Sequence, residues 1–180
     1  MRGAVVAVVV SLLVAGCGGS DPETVTIFLR ARLGPEGPYG QRTAVLTPVE
    51  RERRPTMSAT RQVVLELLVG PSPDERARGV EDTIPIGTRL LGVRVEGRRS
   101  VVELAGEEPG FYGAAAIVYS VTETADVRRV QLRLGGVPCC VHTHAGGVVR
   151  WLSRATFRYW QGEPCRFRTS PTHARCRGKR

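Results

Sequence analysis

Residues 91–104 read Leu-Gly-Val-Arg-Val-Glu-Gly-Arg-Arg-Ser-Val-Val-Glu-Leu. Leu91, Val93 and Val95 alternate with Gly92, Arg94 and Glu96, the period of two that belongs to a strand with one dry face. Gly97 and its neighbours turn the chain, after which Val102 and Leu104 alternate with Val101 and Glu103, so the stretch predicts a β-hairpin. The same signature recurs in Val25 to Leu29, and in Val130, Leu132 and Leu134, which are opposed by Arg129, Gln131 and Arg133. Strands that are aliphatic on one side and charged on the other build a sheet covered on a single face. Its open face is expected to carry Arg30, Arg94, Glu96, Glu103, Arg129 and Arg133, with Phe28 as an apolar exception. Cross-strand ion pairs, each worth well under about 1 kcal/mol, are the plain account of those charges. The sharper account is a docking face, with Phe28, Arg94, Arg129 and Arg133 as the candidate partner-binding residues.

Outward from this hairpin the chain alternates strands and helices. A loop rich in Gly and Pro spans Gly34 to Gly40, and the run from Ala44 to Arg54 predicts a second short strand. Thr56 or Ser58 can cap a helix that carries Val63, Val64, Leu67 and Leu68 on one side and Gln62 and Glu66 on the other, with Gly70-Pro71 ending it. Residues 71–88 read as a long loop closing on Ile84-Pro85-Ile86-Gly87-Thr88. A second helix is expected from about Phe111 to Ala125, where Ala114-Ala115-Ala116 would let it approach a sheet closely. The fold class is therefore α+β. We expect a single small domain, a mainly antiparallel sheet of about four to five strands, and two helices on one face.

The N-terminus is of another kind. Arg2 precedes a small, mostly apolar stretch from Ala4 to Leu13, too short to span a bilayer as a helix and shaped like a secretory signal. Val14-Ala15-Gly16-Cys17 resembles a bacterial lipobox, in which the cysteine thiol receives a diacylglyceryl group and the signal is cut just before it. The resemblance makes Cys17 the expected lipidation site, residues 1–16 a lipoprotein signal peptide and residues 17–23 a tether. The mature chain is then held on the extracytoplasmic face of the cell membrane by its lipid.

Removing residues 1–16 leaves 164, enough for one domain that buries roughly two-thirds of its unfolded surface. The formal charge of the whole chain is +9, yet six basic residues and no acid follow Cys165. A near-neutral body with a basic tail over residues 161–180 argues against a nucleic-acid-binding fold. Such a tail reads as a solvated end or as a contact for anionic headgroups.

Four cysteines remain beyond the anchor: Cys139, Cys140, Cys165 and Cys176. Export places them in an oxidising compartment, where an even number reads as disulfides. Joining the neighbours Cys139 and Cys140 closes a strained eight-membered ring, so either of them paired with Cys165 is preferred. The competing reading is a metal- or thiol-dependent site in Cys139-Cys140-Val141-His142-Thr143-His144. On a strand, Cys140, His142 and His144 would share one face, but the spacing is not that of a zinc site. No metal and no cofactor are expected.

Three segments together resemble the GerMN domain, the sporulation and spore germination domain of bacterial envelope proteins. They are Glu66-Leu67-Leu68-Val69-Gly70-Pro71, Ile84-Pro85-Ile86-Gly87-Thr88-Arg89-Leu90-Leu91, and Ala115-Ala116-Ile117-Val118-Tyr119-Ser120-Val121-Thr122-Glu123. The resemblance covers residues 24–160. It implies a small α/β unit used for assembly and protein contact at the cell surface, without a catalytic residue set. The expected partners are an envelope protein or a cell-wall polymer, in addition to the membrane. Spore-associated relatives often carry the domain in tandem, whereas this chain has room for one copy.

Enzyme signals are weak beside this. No Gly-x-Ser-x-Gly elbow or phosphate-binding glycine loop occurs. His142, His144 and His173 all fall in the last quarter of the chain, with no motif to pair them with a serine. Glu107-Glu108 sits at a helix entrance, where paired acids usually complement the helix dipole. The expectation is a non-catalytic, membrane-anchored binding module.

Overall fold

The computed structural model describes residues 23–32, 44–124, 127–143 and 146–160. Cys17 and the rest of residues 1–22, His144, Cys165, His173, Cys176 and the basic tail lie outside the described residues.

Val25, Ile27, Leu29 and Ala31 alternate on β1 (Thr24–Ala31), and all four are buried. β1 is the middle of a three-stranded antiparallel sheet, between β2 (Val45–Glu52) and the two-residue β3 (Val80–Glu81). Pro48 on β2 stands opposite Phe28. An edge strand tolerates a proline there because the Phe28 N–H points the other way, donating to Ser120 Oγ at 2.9 Å. Past β3 the second edge of β1 is thus closed by hydroxyls, since Arg30 N–H donates to Thr83 Oγ1 at 2.9 Å.

The second sheet has the order β4 (Arg89–Glu96), β5 (Arg99–Ala105), β6 (Arg129–Leu134), β7 (Val137–Pro138). β4 and β5 form the expected hairpin, but Val95, expected inside, is 46% exposed, and the register shifts between Leu90 and Gly92. Leu90 takes the core position opposite Leu104, and the bulged Leu91, expected inside, is 58% exposed. β5 and β6 run parallel, which requires a crossover, and the helix α3 (Gly110–Glu123) supplies it.

The α+β class is as the sequence led us to expect, but the strands are shared between two sheets instead of one. α3 explains the division. It packs on β1 from one sheet, on β6 from the other, and on the helix α1 (Ala59–Val69). Nine consecutive residues, Gly113 to Val121, are buried, so α3 is dry all round rather than on one stripe. A short 3-10 segment, Arg154–Trp160, also lies on it.

α1 begins and ends as its sequence signals. Ser58 Oγ accepts from Arg61 N at 3.3 Å, and Gly70, at φ 79°, donates its N–H to Glu66 O at 3.1 Å. Its polar side is a correction. Gln62 and Glu66 are buried, because the end of β2 lays Arg51, Arg53 and Arg54 across them. The stretch read as a loop also contains a helix, α2 (Pro73–Ala77), started by a capping box in which Ser72 N donates to Glu75 Oε2 at 2.8 Å.

Candidate functional site

The strand directions give the domain two ends. At one end β1 begins, β2 finishes, α1 starts and α3 finishes, with the Thr60 and Thr124 hydroxyls 3.1 Å apart. β5 and β6 also begin there. At the other end lie the turn 85–88, the loop 106–109 and the start of α3.

A shallow cleft of about 600 Å³ opens at this second end. Thr88 N–H donates to Pro85 O at 3.0 Å, closing a turn with Ile86 and Gly87 at its tip. Thr88 Oγ1 donates to Glu107 O at 2.8 Å and pins the turn to the loop before α3. Gly106, at φ +92°, makes this contact possible: a Cβ there would meet Gly87 O at 2.0 Å. Held in this way, Ile84 is buried while Ile86 is 97% exposed. Phe111 and Tyr112 form the opposite wall. The Arg30 guanidinium lies 4.8 Å from the Tyr112 ring centre and 3.2 Å from Glu81. Glu107 and Glu108 are exposed along the rim and precede α3, whose first turn holds no acid. The wall is apolar and the rim charged, which suits recognition by contact.

The predicted open face is divided. Arg94, Glu96, Glu103, Arg129 and Arg133 share the outer face of the four-stranded sheet, in rows such as Glu96–Arg99–Arg129 and Gly92–Glu103–Arg133. Arg133 is tied to Glu103 at 3.5 Å and donates to Gly136 O, and Arg94 lies 3.7 Å from Glu96. Phe28 and Arg30 belong to the other sheet. Phe28 is half-buried, its ring 5.5 Å from Tyr119 and 5.6 Å from the Arg154 guanidinium. It does not join Arg94, Arg129 and Arg133 on one face, because α3 covers that side of β1.

The cysteine expectation needs a correction. The structure joins Cys139 to Cys140, the pairing set aside on ring strain, with their Cα atoms 3.7 Å apart. Cys139 N–H still extends the ladder to Leu132 O at 3.1 Å, but Cys140 leaves it at φ 83°. That left-handed step ends the alternation that would have sent the two side chains to opposite faces. For the same reason Cys140 and His142 do not form a one-faced ligand row. Both cysteines are buried, while His142 is exposed on a bridge to Val148. Among the described residues no group of three His, Cys, Asp or Glu side chains is placed to hold a metal ion.

The most perturbed acid serves the fold. Two hydrogen bonds from Arg51 hold the Glu75 carboxylate at a pKa of about 2, against the opposing effect of burial, with Ser72 N–H helping. The same partnership raises Arg51, which also lies 3.7 Å from Glu66. One arginine on β2 thereby ties α1 to α2.

Two sheets around a buried helix, with an apolar cleft at one end, define a small α+β domain of GerMN type. The Germane family, described as "Sporulation and spore germination", matches residues 28–140, and the chain belongs to it. The tandem GerMN domains of the sporulation protein GerM from Bacillus subtilis are similar in structure, at 19% identity and a TM-score of 0.57, over 73% of this chain and 44% of that one. This chain therefore spans less than half the length of that tandem structure. The first GerMN domain of the same protein aligns at 17% identity and a TM-score of 0.46, over 73% of this chain and 98% of that one. No curated protein matches the chain. Among the described residues no helix is long and apolar enough to cross a membrane.

Proposed function

We propose that this chain is a non-catalytic lipoprotein, anchored at Cys17 on the extracytoplasmic face of the membrane, whose GerMN domain binds an envelope protein through the cleft at its far end. One observation carries the reading. Ile86 is 97% exposed, yet it is presented by a turn locked through Thr88 and Glu107. Covering an aliphatic side chain of that size gives about 2 kcal/mol, and a rigid turn loses little entropy on docking. Phe111 across the cleft adds an aromatic anchor of the kind that dominates interfaces. The family match supports the domain's role as a module, and the lipobox supports its address. Among the residues lining the cleft there is no histidine, cysteine or serine; its polar side chains are Arg30, Thr83, Tyr112 and the carboxylates Asp82, Glu107 and Glu108, a set that favours binding over chemistry.

In-cell crosslinking of the tagged full-length chain tests this, with Cys17→Ser and Ile86→Asp as comparisons. One dominant envelope protein is expected, reduced by Cys17→Ser and lost with Ile86→Asp. Recovery of wall polymer alone, or of the same protein from the Ile86→Asp variant, overturns the cleft as the contact.

A further inference from the structure

We infer that the end of the domain opposite the cleft is a docking surface for anionic phospholipid headgroups, built from Arg98, Arg99, Arg128 and Arg129. The inference rests on the proposed anchor at Cys17 and adds to it a second, protein-borne membrane contact.

The surface follows from the topology. The β4–β5 turn carries Arg98 and β5 opens on Arg99, while Arg128 precedes β6 and Arg129 opens it. Both Arg128 N–H and Arg129 N–H donate to Arg98 O, at 2.9 and 3.2 Å, which ties the two arginine pairs together. The parallel register sets Arg99 beside Arg129 on the outer sheet face. All four are exposed, and none forms an ion pair with a described carboxylate. Glu96, in register with Arg99, has Arg94 as its nearest ionic partner at 3.7 Å. Like charges on neighbouring strands repel, so an external anion would relieve a cost the fold otherwise bears. Arg99 also stacks over Trp151, 5.3 Å from its ring centre. An indole beside cations is the side chain found where protein meets headgroups.

The occupant is set by where the chain leaves this end. Glu23 O accepts from Arg53 N at 2.8 Å, Gln62 of α1 donates to Glu52 O, and Thr60 meets Thr124 where α3 finishes before β6, so the start of β1 lies at the arginine end and the tether leaves from there. Seven peptide units separate Cys17 from Thr24, a reach of at most about 25 Å. A lipid on Cys17 therefore holds this end within a few Debye lengths of the bilayer, and the cleft faces away. The charge, the aromatic neighbour and the short reach point to the membrane that holds the anchor.

The test separates this contact from the acyl chain. The mature chain, residues 17–180 with Cys17→Ser, is mixed with vesicles of phosphatidylcholine containing phosphatidylglycerol, and binding is read by co-sedimentation. A second protein carries Arg98→Glu, Arg99→Glu, Arg128→Glu and Arg129→Glu. A third carries the milder Arg99→Gln and Arg129→Gln, and circular dichroism checks that each is folded. Partition onto the anionic vesicles is expected to fall at least tenfold with the four reversals, and severalfold with the glutamines. The basic residues after Cys165 are common to all three proteins, so their contribution does not enter the comparison. Equal binding by folded variants overturns the inference. So does a difference seen with a phosphodiester wall polymer and absent on vesicles. The anchor itself is read separately, by the mass of the Cys17 peptide from cells. An unacylated Cys17 defeats the anchor whatever the vesicles show.

Discussion

Arg51 on β2 donates two hydrogen bonds to the Glu75 carboxylate on α2, at 2.7 and 2.8 Å, across 24 residues of sequence. The pair sits at the junction of β2, α1 and α2, nearly out of solvent, and Glu66 completes it from α1. A bidentate fork fixes angle as well as distance. It thus orients the short helix α2, which is too short to be stable by itself.

The first prediction is the pH dependence of this pair. Glu75 titrates at about 2 in the folded chain, and a free glutamate titrates near 4.3. As pH falls, the unfolded state takes up the proton first. The stabilisation is therefore complete above about pH 5 and is lost progressively toward pH 2, amounting to on the order of 2–3 kcal/mol. Urea midpoints for the native chain and for Glu75→Gln should differ by about 2 kcal/mol at pH 7, and the gap should close through that window. A gap unchanged between pH 5 and pH 2.5 would show that the pair contributes no charge-dependent stability.

Gln62 supports a second prediction. Its Oε1 accepts from Arg54 N at 2.8 Å and from Arg53 Nη1 at 3.1 Å, and its amide nitrogen donates to Glu52 O. One side chain thus satisfies the backbone where β2 ends. Gln62→Leu leaves those groups without partners and should cost about 1–3 kcal/mol. Gln62→Glu keeps the acceptor but sets a carboxylate against the Glu52 carbonyl, so it should not rescue. A thermal melt in which Gln62→Glu matches the native chain would refute this assignment.

These two residues also show where sequence reading reached its limit. The hairpin and the caps at Ser58 and Gly70 were legible because each follows from local period or local dihedral demand, whereas the nine consecutive buried residues of α3 follow no period and only Ala114-Ala115-Ala116 announced its close packing. Gln62 and Glu66 were not legible, since a polar residue on a helix reads as exposed until a strand brings arginines over it. The helix α2 was legible in principle, through Ser72-Pro73-Asp74-Glu75, although its loop-like surroundings hid it. The two-residue β3 has no period to read, the bulge at Leu91 inverts the pattern of β4, and Val95 at its far end is left exposed. In the candidate site, Ile84-Pro85-Ile86-Gly87-Thr88 stood out as a turn. Two isoleucines spaced by one residue cannot say which is buried, and the exposure of Ile86 depends on Gly106, twenty residues away.

The third prediction concerns the cysteines. Peptide mapping of the protein under non-reducing conditions should find Cys139 and Cys140 within one fragment lighter by two hydrogens, with no fragment joining either to Cys165. Cys140 adopts φ 83°, so Cys140→Gly should cost less than Cys140→Ala once the bridge is gone. A fragment linking Cys139 or Cys140 to Cys165 would restore the pairing first expected from the sequence.

Gly106 couples the fold to the cleft and gives the last prediction. At φ +92° an alanine is strained by itself, and its Cβ would fall 2.0 Å from Gly87 O, a backbone atom that cannot swing aside. Relief requires moving the turn 85–88 away from the loop 106–109, which breaks the Thr88–Glu107 hydrogen bond and releases Ile86. Gly106→Ala should therefore destabilise the domain by about 2–4 kcal/mol and also reduce crosslinking of the cleft partner in the surviving folded fraction. Gly97 provides the control. Its φ is +55° but nothing lies within 4 Å of its Cβ position. Gly97→Ala should cost only about 1 kcal/mol, and it lies in the turn at the arginine end, so partner capture should be unchanged. If the two variants lost partner in proportion to their stability alone, the locked turn would be a feature of the fold and not of recognition.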